Sequence, residues 1–264
     1  MNYIELILLG IIQGITEFLP ISSSGHLLIG RSIFGIQSTG TGSFIEVFLH
    51  GGTLLSILLY WKNDLIDSVK KTITGNSSLF LNIIIGTVPA GIIGILFKKN
   101  IDNYFFNIEN IYYLPIAYLF LAIILYLTKY KFKNYNMYNE IFYTFALLIG
   151  IAQCFAIIPG ISRSGMTIAL ALFLGINQKS ATNFSFMLAI PILTFSFIDS
   201  LFENFTLLID MTLFWPLMIG FISSFLTGYF AIGLLVKMIE KNRLWYFSIY
   251  CLLLSFILGY YHGG

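Results

Sequence analysis

Charged residues are scarce in this sequence. Only 10% of the 264 residues are Asp, Glu, Lys or Arg, and 58% are hydrophobic, whereas soluble domains usually carry about 25% charged residues. The composition therefore excludes an ordinary soluble domain and indicates an integral membrane protein. The net charge of +2 is also too small for a protein that binds the phosphate backbone of nucleic acids, so we expect no nucleic-acid partner.

Cysteine and a basic leader are also lacking. The two cysteines, Cys154 and Cys251, lie in apolar runs, where thiols are typical packing residues rather than members of a disulfide or a metal site. The first five residues contain no lysine or arginine, so they lack the basic segment of a signal peptide and we expect no cleavage there.

Long hydrophobic runs, in contrast, are abundant. Six of them are long enough to cross about 30 Å of hydrocarbon, namely Ser43–Trp61, Ser78–Phe97, Ile111–Leu127, Ile141–Ile158, Leu213–Val236 and Leu244–Tyr260. Others are too short or interrupted, namely Ile4–Leu19 with His26–Phe34, Met166–Leu174, and Phe184–Phe197 with Pro191 inside it. Broken helices are tolerated at membrane depth where protein or a wet cavity covers the freed backbone. We expect a single integral membrane domain, an all-α polytopic membrane helix bundle.

A short polar phrase occurs twice in this apolar chain at a constant offset. Gln13, Ile21, Ser22, Ser24 and Gly25 correspond to Gln153, Ile161, Ser162, Ser164 and Gly165. An internal repeat indicates two related halves, here residues 1–128 and 141–264 approximately. Because the repeated unit is polar in an apolar setting, it predicts a site.

The loop charges predict how the two halves are oriented. The basic segments Lys129–Lys133 and Lys237–Arg243 are expected on the cytoplasmic side, and the acidic segment Asp199–Asp210, one crossing away, on the outer side. The same reasoning places Lys98–Asn110 outside. The halves then run in opposite directions as two inverted repeats, each with a broken or re-entrant helix pair, and such pairs meet near the midplane to form a site.

The first copy of the phrase carries groups suited to acid–base chemistry. Gln13 and Glu17 are four residues apart, on one helical face, and a serine turn and His26 follow. Glu17 could hold a divalent cation or act as a base, and Ser23 could be a nucleophile that His26 activates, unless His26 protonates the leaving group. Glu46 and His50, also one turn apart, could face the same cavity.

The second copy is suited to anions. A serine–glycine turn that opens a helix presents free backbone N–H groups and a positive dipole end. Arg163, inside this turn, would cost about 2.5–3.5 kcal/mol at the centre of a membrane helix, and its planar group binds phosphate or carboxylate through two hydrogen bonds. These residues alone leave two classes open, a hydrolase and a transporter of an anionic substrate.

The segments Gly14–His26 and Pro159–Gly165 resemble the undecaprenyl-diphosphatase family, also called bacitracin-resistance proteins. The likeness extends over essentially the whole chain, including Phe44–Val47 and Asn183–Pro191. The resemblance implies a multi-pass phosphatase of the bacterial inner membrane with its active site open to the outer face. Such an enzyme removes the terminal phosphate from undecaprenyl diphosphate and so recycles the lipid carrier of peptidoglycan synthesis. A flippase for a prenyl phosphate is the alternative, and a homodimer is left open.

The resemblance also implies the site residues. Glu17, Ser23, His26 and Arg163 are expected to be catalytic, with water as the alternative nucleophile to Ser23. The residues expected to bind substrate are Gln13, Ser22, Ser24, Gly25, Ser162, Ser164, Gly165 and Thr167. Glu17 is also expected to bind Mg²⁺ or Ca²⁺. Position 13 is glutamine rather than glutamate, so a metal site there has one carboxylate fewer, which argues against tight binding.

Overall fold

The structure is a computed structural model that describes residues 2–36, 41–75, 78–131, 138, 140–205 and 211–262. These residues form twelve α-helices and one 3₁₀-helix and contain no β-strand, which confirms the all-α prediction. The first half contains α1 (Tyr3–Phe18), α2 (Ser23–Phe34), α3 (Thr41–Tyr60), α4 (Lys62–Ile73), α5 (Ser78–Leu96), α6 (Lys98–Phe105), the 3₁₀-helix (Ile108–Tyr113) and α7 (Leu114–Lys131). The second half contains α8 (Tyr143–Phe155), α9 (Arg163–Phe173), α10 (Gln178–Glu203), α11 (Met211–Glu240) and α12 (Tyr246–His262).

Several helices are long and apolar enough to cross a membrane. Within the described residues there are four, which are α5, residues 110–130, α10 and residues 212–240. Helices α3 and α4 together form a fifth candidate, although residues 44–60 and 62–73 meet at an angle of 71°. The chain is therefore a multi-pass membrane protein.

One predicted interruption is wrong. The sequence indicated that Phe184–Phe197 is too broken by Pro191 to span a membrane, but α10 is continuous over 26 residues. A proline inside a helix removes one backbone hydrogen bond, and that loss is tolerated when packing holds the helix on both sides. Met187 and Leu193 are buried on either side of Pro191. Pro89 likewise lies inside a continuous helix, α5.

A second correction concerns Ile141–Ile158, which was predicted to be a complete span. Helix α8 covers only 13 of its residues, about 20 Å at 1.5 Å per residue, and this is shorter than the hydrocarbon core. The chain leaves the helix after Phe155 in a series of turns toward Gly160, whose φ is +94°. Helices α8 and α9 are therefore two short helices that together form one broken helix pair.

The first half contains the corresponding pair, α1 and α2. In each pair a serine opens the second helix, because Ser22 and Ser162 accept hydrogen bonds from the backbone N–H groups of Gly25 and Gly165. Both serines are therefore N-caps, as such residues often are. Ser22 has a φ of +67°, a conformation that costs a non-glycine residue free energy.

The first helix of each half packs against a helix of the other half. Helix α1 lies along α11, and α8 lies along α5. Glycines at corresponding positions permit both contacts, since a Cβ at Gly10 would overlap the carbonyl oxygen of Gly220 and one at Gly150 would overlap that of Gly86. Small residues allow membrane helices to approach closely in this way. The division into two repeats and their inverted orientation stay predictions.

Two segments that were predicted to lie on one side are in contact. The Nζ atom of Lys98 lies 2.6 Å from Asp199 and 2.7 Å from Glu203. Burial lowers the pKa of Lys98, but its bonds to these two carboxylates raise that pKa by more, so that it lies above its ordinary value. Which side of the membrane this is stays a prediction. Two other charges used for the topology, Lys133 and Asp210, lie outside the described residues.

Candidate active site

The two helix breaks contact each other directly. The backbone N–H of Gly160 donates to the Oγ atom of Ser22 over 2.9 Å, and this oxygen also accepts from Gly25 N at 3.4 Å. One serine side chain therefore caps α2 and holds the turn before α9. The repeated phrases, 140 residues apart in the chain, meet inside the protein.

Glu17 lies at the centre of the polar contacts, at the end of α1. The hydroxyl of Ser23 donates to its Oε2 atom over 2.6 Å, and Nε2 of Gln13 donates to the same oxygen over 3.1 Å. Arg163 binds the other oxygen, Oε1, with Nη2 at 2.7 Å. The Nε2 atom of His50 lies 3.3 Å from Oε2. Four side chains from α1, α2, α3 and α9 thus converge on one carboxylate.

Arg163 has a second set of partners that fix its backbone and side chain. Its Nη1 atom donates to the carbonyl oxygen of Ser185 over 3.3 Å. Thr167 donates to the carbonyl oxygen of Arg163 over 2.8 Å and contacts the hydroxyl of Ser185 at 2.7 Å. The side chain of Arg163 is 16% exposed and that of Glu17 only 6%. The guanidinium group is therefore the more accessible member of the ion pair.

His26 has partners other than the predicted one. Its Nδ1 atom lies 2.7 Å from the carbonyl oxygen of Ser22 and 3.0 Å from the hydroxyl of Tyr118, and Nε2 lies 2.6 Å from the hydroxyl of Tyr250. The structure thus contradicts the predicted pairing of His26 with Ser23, since the hydroxyl of Ser23 donates to Glu17 instead. Carboxylates as well as imidazoles accept protons from hydroxyls, and the sequence does not show which of the two lies nearer.

The sequence predicts that His50 and Glu46 could face the same cavity, but the two residues have different partners. His50 contacts Glu17, whereas Glu46 forms an ion pair with Arg31 that is buried on both sides. The Nδ1 atom of His50 lies 2.7 Å from the carbonyl oxygen of Glu46. Because both ring nitrogens of His50 face oxygens that only accept, both bonds form together only if each nitrogen carries a hydrogen.

Some residues of the site were not found from the sequence. Arg31 has the signal that singled out Arg163, an arginine within a short apolar helix where burying its charge is costly. Tyr118 and Tyr250 look like ordinary membrane aromatics, and nothing in their sequence context marks them as partners of a histidine. Ser185 contacts the site through its backbone carbonyl as well as its hydroxyl, and a sequence pattern does not reveal a carbonyl contact.

The remaining serines contact one another within their turns. Ser162 and Ser164 have hydroxyls 3.1 Å apart, and those of Ser22 and Ser24 are 3.4 Å apart. Ser162 and Ser164 are buried, whereas Ser24 is half-buried. Substrate binding by these residues, and by Gly25 and Gly165, stays a prediction.

The described residues offer limited ligands for a divalent cation. They contain no group of three or more His, Cys, Asp or Glu side chains that could hold a metal. Glu17 supplies one carboxylate, and the buried Oε1 atom of Gln13 has no hydrogen-bond partner among the residues that the structure describes. Mg²⁺ commonly binds through one or two carboxylates together with waters and substrate phosphates. This donor set therefore fits a cation that is shared with a substrate.

Together these contacts define a class of site. Inside a helical membrane protein, a buried carboxylate accepts a hydrogen bond from a hydroxyl at one oxygen and from an arginine at the other. The hydroxyl lies within hydrogen-bond reach of the carboxylate, which is the arrangement that a nucleophile and its base require, and the arginine and the helix N-termini suit a phosphate group. The fold and the site suit a membrane-embedded enzyme, and the basic and N–H groups suit a phosphorylated substrate.

Comparisons with known proteins identify the family. Residues 6–257 match the family model described as "Bacitracin resistance protein BacA". A protein of Thermotoga maritima named undecaprenyl-diphosphatase is 36% identical over 97% of this chain and 99% of its own length. Proteins with the same name from Halothermothrix orenii and Marinobacter nauticus are 37% and 34% identical, each over 98% of this chain and over 97% and 98% of their own lengths. The chain belongs to the bacitracin resistance protein BacA family.

Proposed function

We infer that this protein is an undecaprenyl-diphosphatase. It hydrolyses undecaprenyl diphosphate to undecaprenyl phosphate and inorganic phosphate, and so returns the lipid carrier to peptidoglycan synthesis and confers resistance to bacitracin. The inference is carried by relatives of that name that match nearly the whole chain at 34–37% identity. The substrate is a lipid, which agrees with the apolar helices that could span a membrane.

In the proposed reaction Ser23 is the nucleophile and Glu17 is the base. The 2.6 Å bond from the Ser23 hydroxyl to Glu17 is within the range expected of a base and the proton that it accepts. As the Ser23 oxygen bonds to the terminal phosphorus, its proton passes to Glu17 and the bond to the bridging oxygen breaks. Undecaprenyl phosphate leaves, and water then hydrolyses the phosphoserine to release phosphate.

Direct attack by water is the alternative that the same geometry accommodates. Glu17 would then accept the proton of a water molecule that bonds to the terminal phosphorus, and the bond to the bridging oxygen would break in one step. Ser23 would orient Glu17 rather than form a bond to the substrate. The two routes differ in whether the Ser23 oxygen is required.

Arg163 is proposed to hold the phosphate groups. Donors aimed at charge that develops in the transition state are often the largest contribution to catalysis. Arg163 and Ser23 bind the two oxygens of the Glu17 carboxylate. Of the ion pair Arg163–Glu17, the arginine side chain is the more exposed member. Its two hydrogen bonds to Glu17 and Ser185 keep it in place without substrate. The N-termini of α2 and α9, which also adjoin the site, suit the remaining phosphate oxygens.

His26 is proposed to be a neighbour of the catalytic groups that does not activate Ser23. Its bonds to Tyr118 and Tyr250 link the start of α2 to α7 and α12. In this proposal His26 donates a proton to the leaving phosphate, which is one of the two roles predicted for it. It does not take the other role, activation of Ser23. Tyr250 is 43% exposed, so this side of His26 adjoins the surface of the protein.

A divalent cation is proposed to bind together with the substrate. Glu17 and the amide oxygen of Gln13, which has no partner in the described part of the chain, would hold Mg²⁺ or Ca²⁺. Such an ion, when bound, neutralises the charge of phosphate oxygens. The limited protein ligands support a cation that is bound weakly in the absence of the diphosphate.

The expected location follows from the charges and the family. We place the protein in the bacterial inner membrane with the site open to the outer face, because the acidic segment at the end of α10 and the segment from Lys98 are assigned to that side. The diphosphate would enter the polar centre while the prenyl chain stays in the bilayer. A homodimer is an open prediction that the mass of the purified protein in detergent or nanodiscs would test.

The activity is tested by release of phosphate from undecaprenyl diphosphate by the purified protein, with and without EDTA. We expect release that EDTA abolishes and that added Mg²⁺ or Ca²⁺ restores. Release that is unaffected by EDTA would reject the cation but not the activity. A folded protein that binds the lipid and releases no phosphate in any condition would favour the alternative, a flippase or transporter.

A further inference from the structure

His50 contacts the proposed catalytic base from a third helix. Its Nε2 atom is 3.3 Å from Oε2 of Glu17, the same oxygen that accepts the hydrogen bond from Ser23. The opposite ring nitrogen, Nδ1, is held by the carbonyl oxygen of Glu46 at 2.7 Å. Both ring nitrogens of the imidazole therefore lie beside oxygen atoms, and these two contacts set its orientation.

Behind His50 lies a buried ion pair. Glu46, one turn earlier on α3, binds Arg31 in the last turn of α2. Arg31 is fully buried and Glu46 is 3% exposed. Removing one partner of a buried pair leaves an uncompensated charge, which is strongly destabilising, so such pairs hold their helices in one arrangement.

The ion pair connects two of the four helices that bring groups to Glu17, α2 and α3. Helix α2 carries Ser23 at its first residue and Arg31 near its end, and α3 carries Glu46 and His50. A shift of α3 along α2 would separate the charges of the pair. It would also move His50 away from Glu17, because both residues of α3 lie on one face.

We propose that His50 is a positioning residue that holds the carboxylate of Glu17 toward Ser23, and that the pair Arg31–Glu46 fixes His50 in this place. The proposal rests on the role of Glu17 inferred above. Arg163 also holds Glu17, but its guanidinium group, the more accessible member of that ion pair, is the one that a phosphate would engage. When it does, His50 retains the orientation of the carboxylate. His50 itself does not contact the reacting atoms.

The test measures phosphate release by the purified protein after substitution of His50. We expect His50→Leu to lower kcat by about 100-fold with KM changed less than about threefold, as misplacement of a catalytic group does. His50→Gln keeps an N–H donor and should recover kcat to within about tenfold of the unaltered protein. Ser56→Ala is the control, because Ser56 is a buried polar residue of the same helix whose hydroxyl bonds to Gly52 and Phe225.

A double-mutant cycle distinguishes positioning from a structural role. In the variant Glu17→Asp the carboxylate is shortened and withdrawn from His50, and residual activity should remain measurable. We expect His50→Leu to lower kcat by less than about threefold in this background, since interacting residues are not additive. Glu46→Gln should lower kcat of the unaltered protein by about tenfold and have no further effect beside His50→Leu. An equal loss from His50→Leu in the unaltered protein and in the Glu17→Asp variant would overturn the proposal.

Failure of the inference and failure of the proposed function are distinguishable. If Glu17→Gln hydrolyses the substrate at the unaltered rate, the role of Glu17 fails and the inference fails with it. If Glu17→Gln is inactive while folded His50→Leu is fully active, only the inference is rejected. Melting temperature and elution volume report folding, and His50→Phe, closer in shape to histidine, replaces His50→Leu if the latter does not fold.

Discussion

The two copies of the repeated phrase place the same glutamine in different surroundings. Gln13 donates to Glu17 and, over 3.4 Å, to Thr53, so it belongs to the candidate active site. Gln153 donates to the backbone carbonyl of Gly86 over 3.4 Å, so it belongs to the contact between α8 and α5. The residue four positions later decides the difference, because it is Glu17 in the first copy and Ile157 in the second.

The residue that follows the capping serine differs in a complementary way. Ser23 and Arg163 occupy corresponding positions, each the first residue of a helix. Both bind Glu17, one at each oxygen. Two equivalent positions thus converge on one carboxylate that has no counterpart in the second copy. In the proposed function, therefore, the matched residues build the helix breaks, and the unmatched residues carry the chemistry.

The largest effect expected from this comparison is at Ser23. If Ser23 is the nucleophile, Ser23→Ala should lower kcat by about 10³-fold or more, because loss of a reacting group removes a whole route. The measurement is single-turnover phosphate release by the purified variant. A loss of less than about tenfold would instead support direct attack by water.

A smaller effect separates the two glutamines. A hydrogen bond to a charged group contributes about 1.5–3 kcal/mol, so Gln13→Leu should lower kcat by about 10- to 100-fold. The matched variant Gln153→Leu should leave kcat unchanged and alter the free energy of unfolding by less than about 1 kcal/mol, because it loses one long bond to a carbonyl. Equal losses of activity in the two variants would contradict the distinction between the copies.

The smallest expected effect concerns the cation. Gln13→Glu places a second carboxylate beside Glu17, which suits a divalent cation better than an amide does. The concentration of Mg²⁺ that gives half-maximal activity should fall by about tenfold, an effect of about 1.4 kcal/mol. Titration of activity with Mg²⁺ after removal of bound metal provides the measurement. An unchanged or higher requirement would argue against Gln13 as a ligand.

Much of the architecture could be predicted from the sequence. Hydrophobicity identified the membrane class, and the repeated serines identified the two helix breaks, because capping is a local property of a few residues. Two predicted helix boundaries are wrong, one because the helix is longer than predicted and the other because the helix is shorter. Pro191 is tolerated because packing holds α10 on both sides, and α8 ends early because of the turn at Gly160 rather than any loss of hydrophobicity.

The sequence indicated the residues of the candidate site better than it indicated the contacts among them. Glu17, Ser23 and Arg163 are marked by their type in an apolar chain, and the structure brings them together. Whether Ser23 faces Glu17 or His26 depends on where α2 lies relative to α1, and no spacing along the chain encodes that. Tyr118 and Tyr250 contact His26 from α7 and α12, so their part in the site becomes visible only in three dimensions.

The central claim is that the first copy supplies the chemistry and the second copy holds the phosphates. It is tested most directly in two purified variants, Glu17→Gln and Arg163→Ala, by measuring binding of undecaprenyl diphosphate in EDTA and its hydrolysis with Mg²⁺ or Ca²⁺. The account predicts that Glu17→Gln binds the lipid with a Kd within about threefold of the unaltered protein but releases no phosphate, whereas Arg163→Ala weakens binding by at least about 30-fold, the loss expected for a buried charged contact. Intact binding by Arg163→Ala together with lost binding by Glu17→Gln would contradict it.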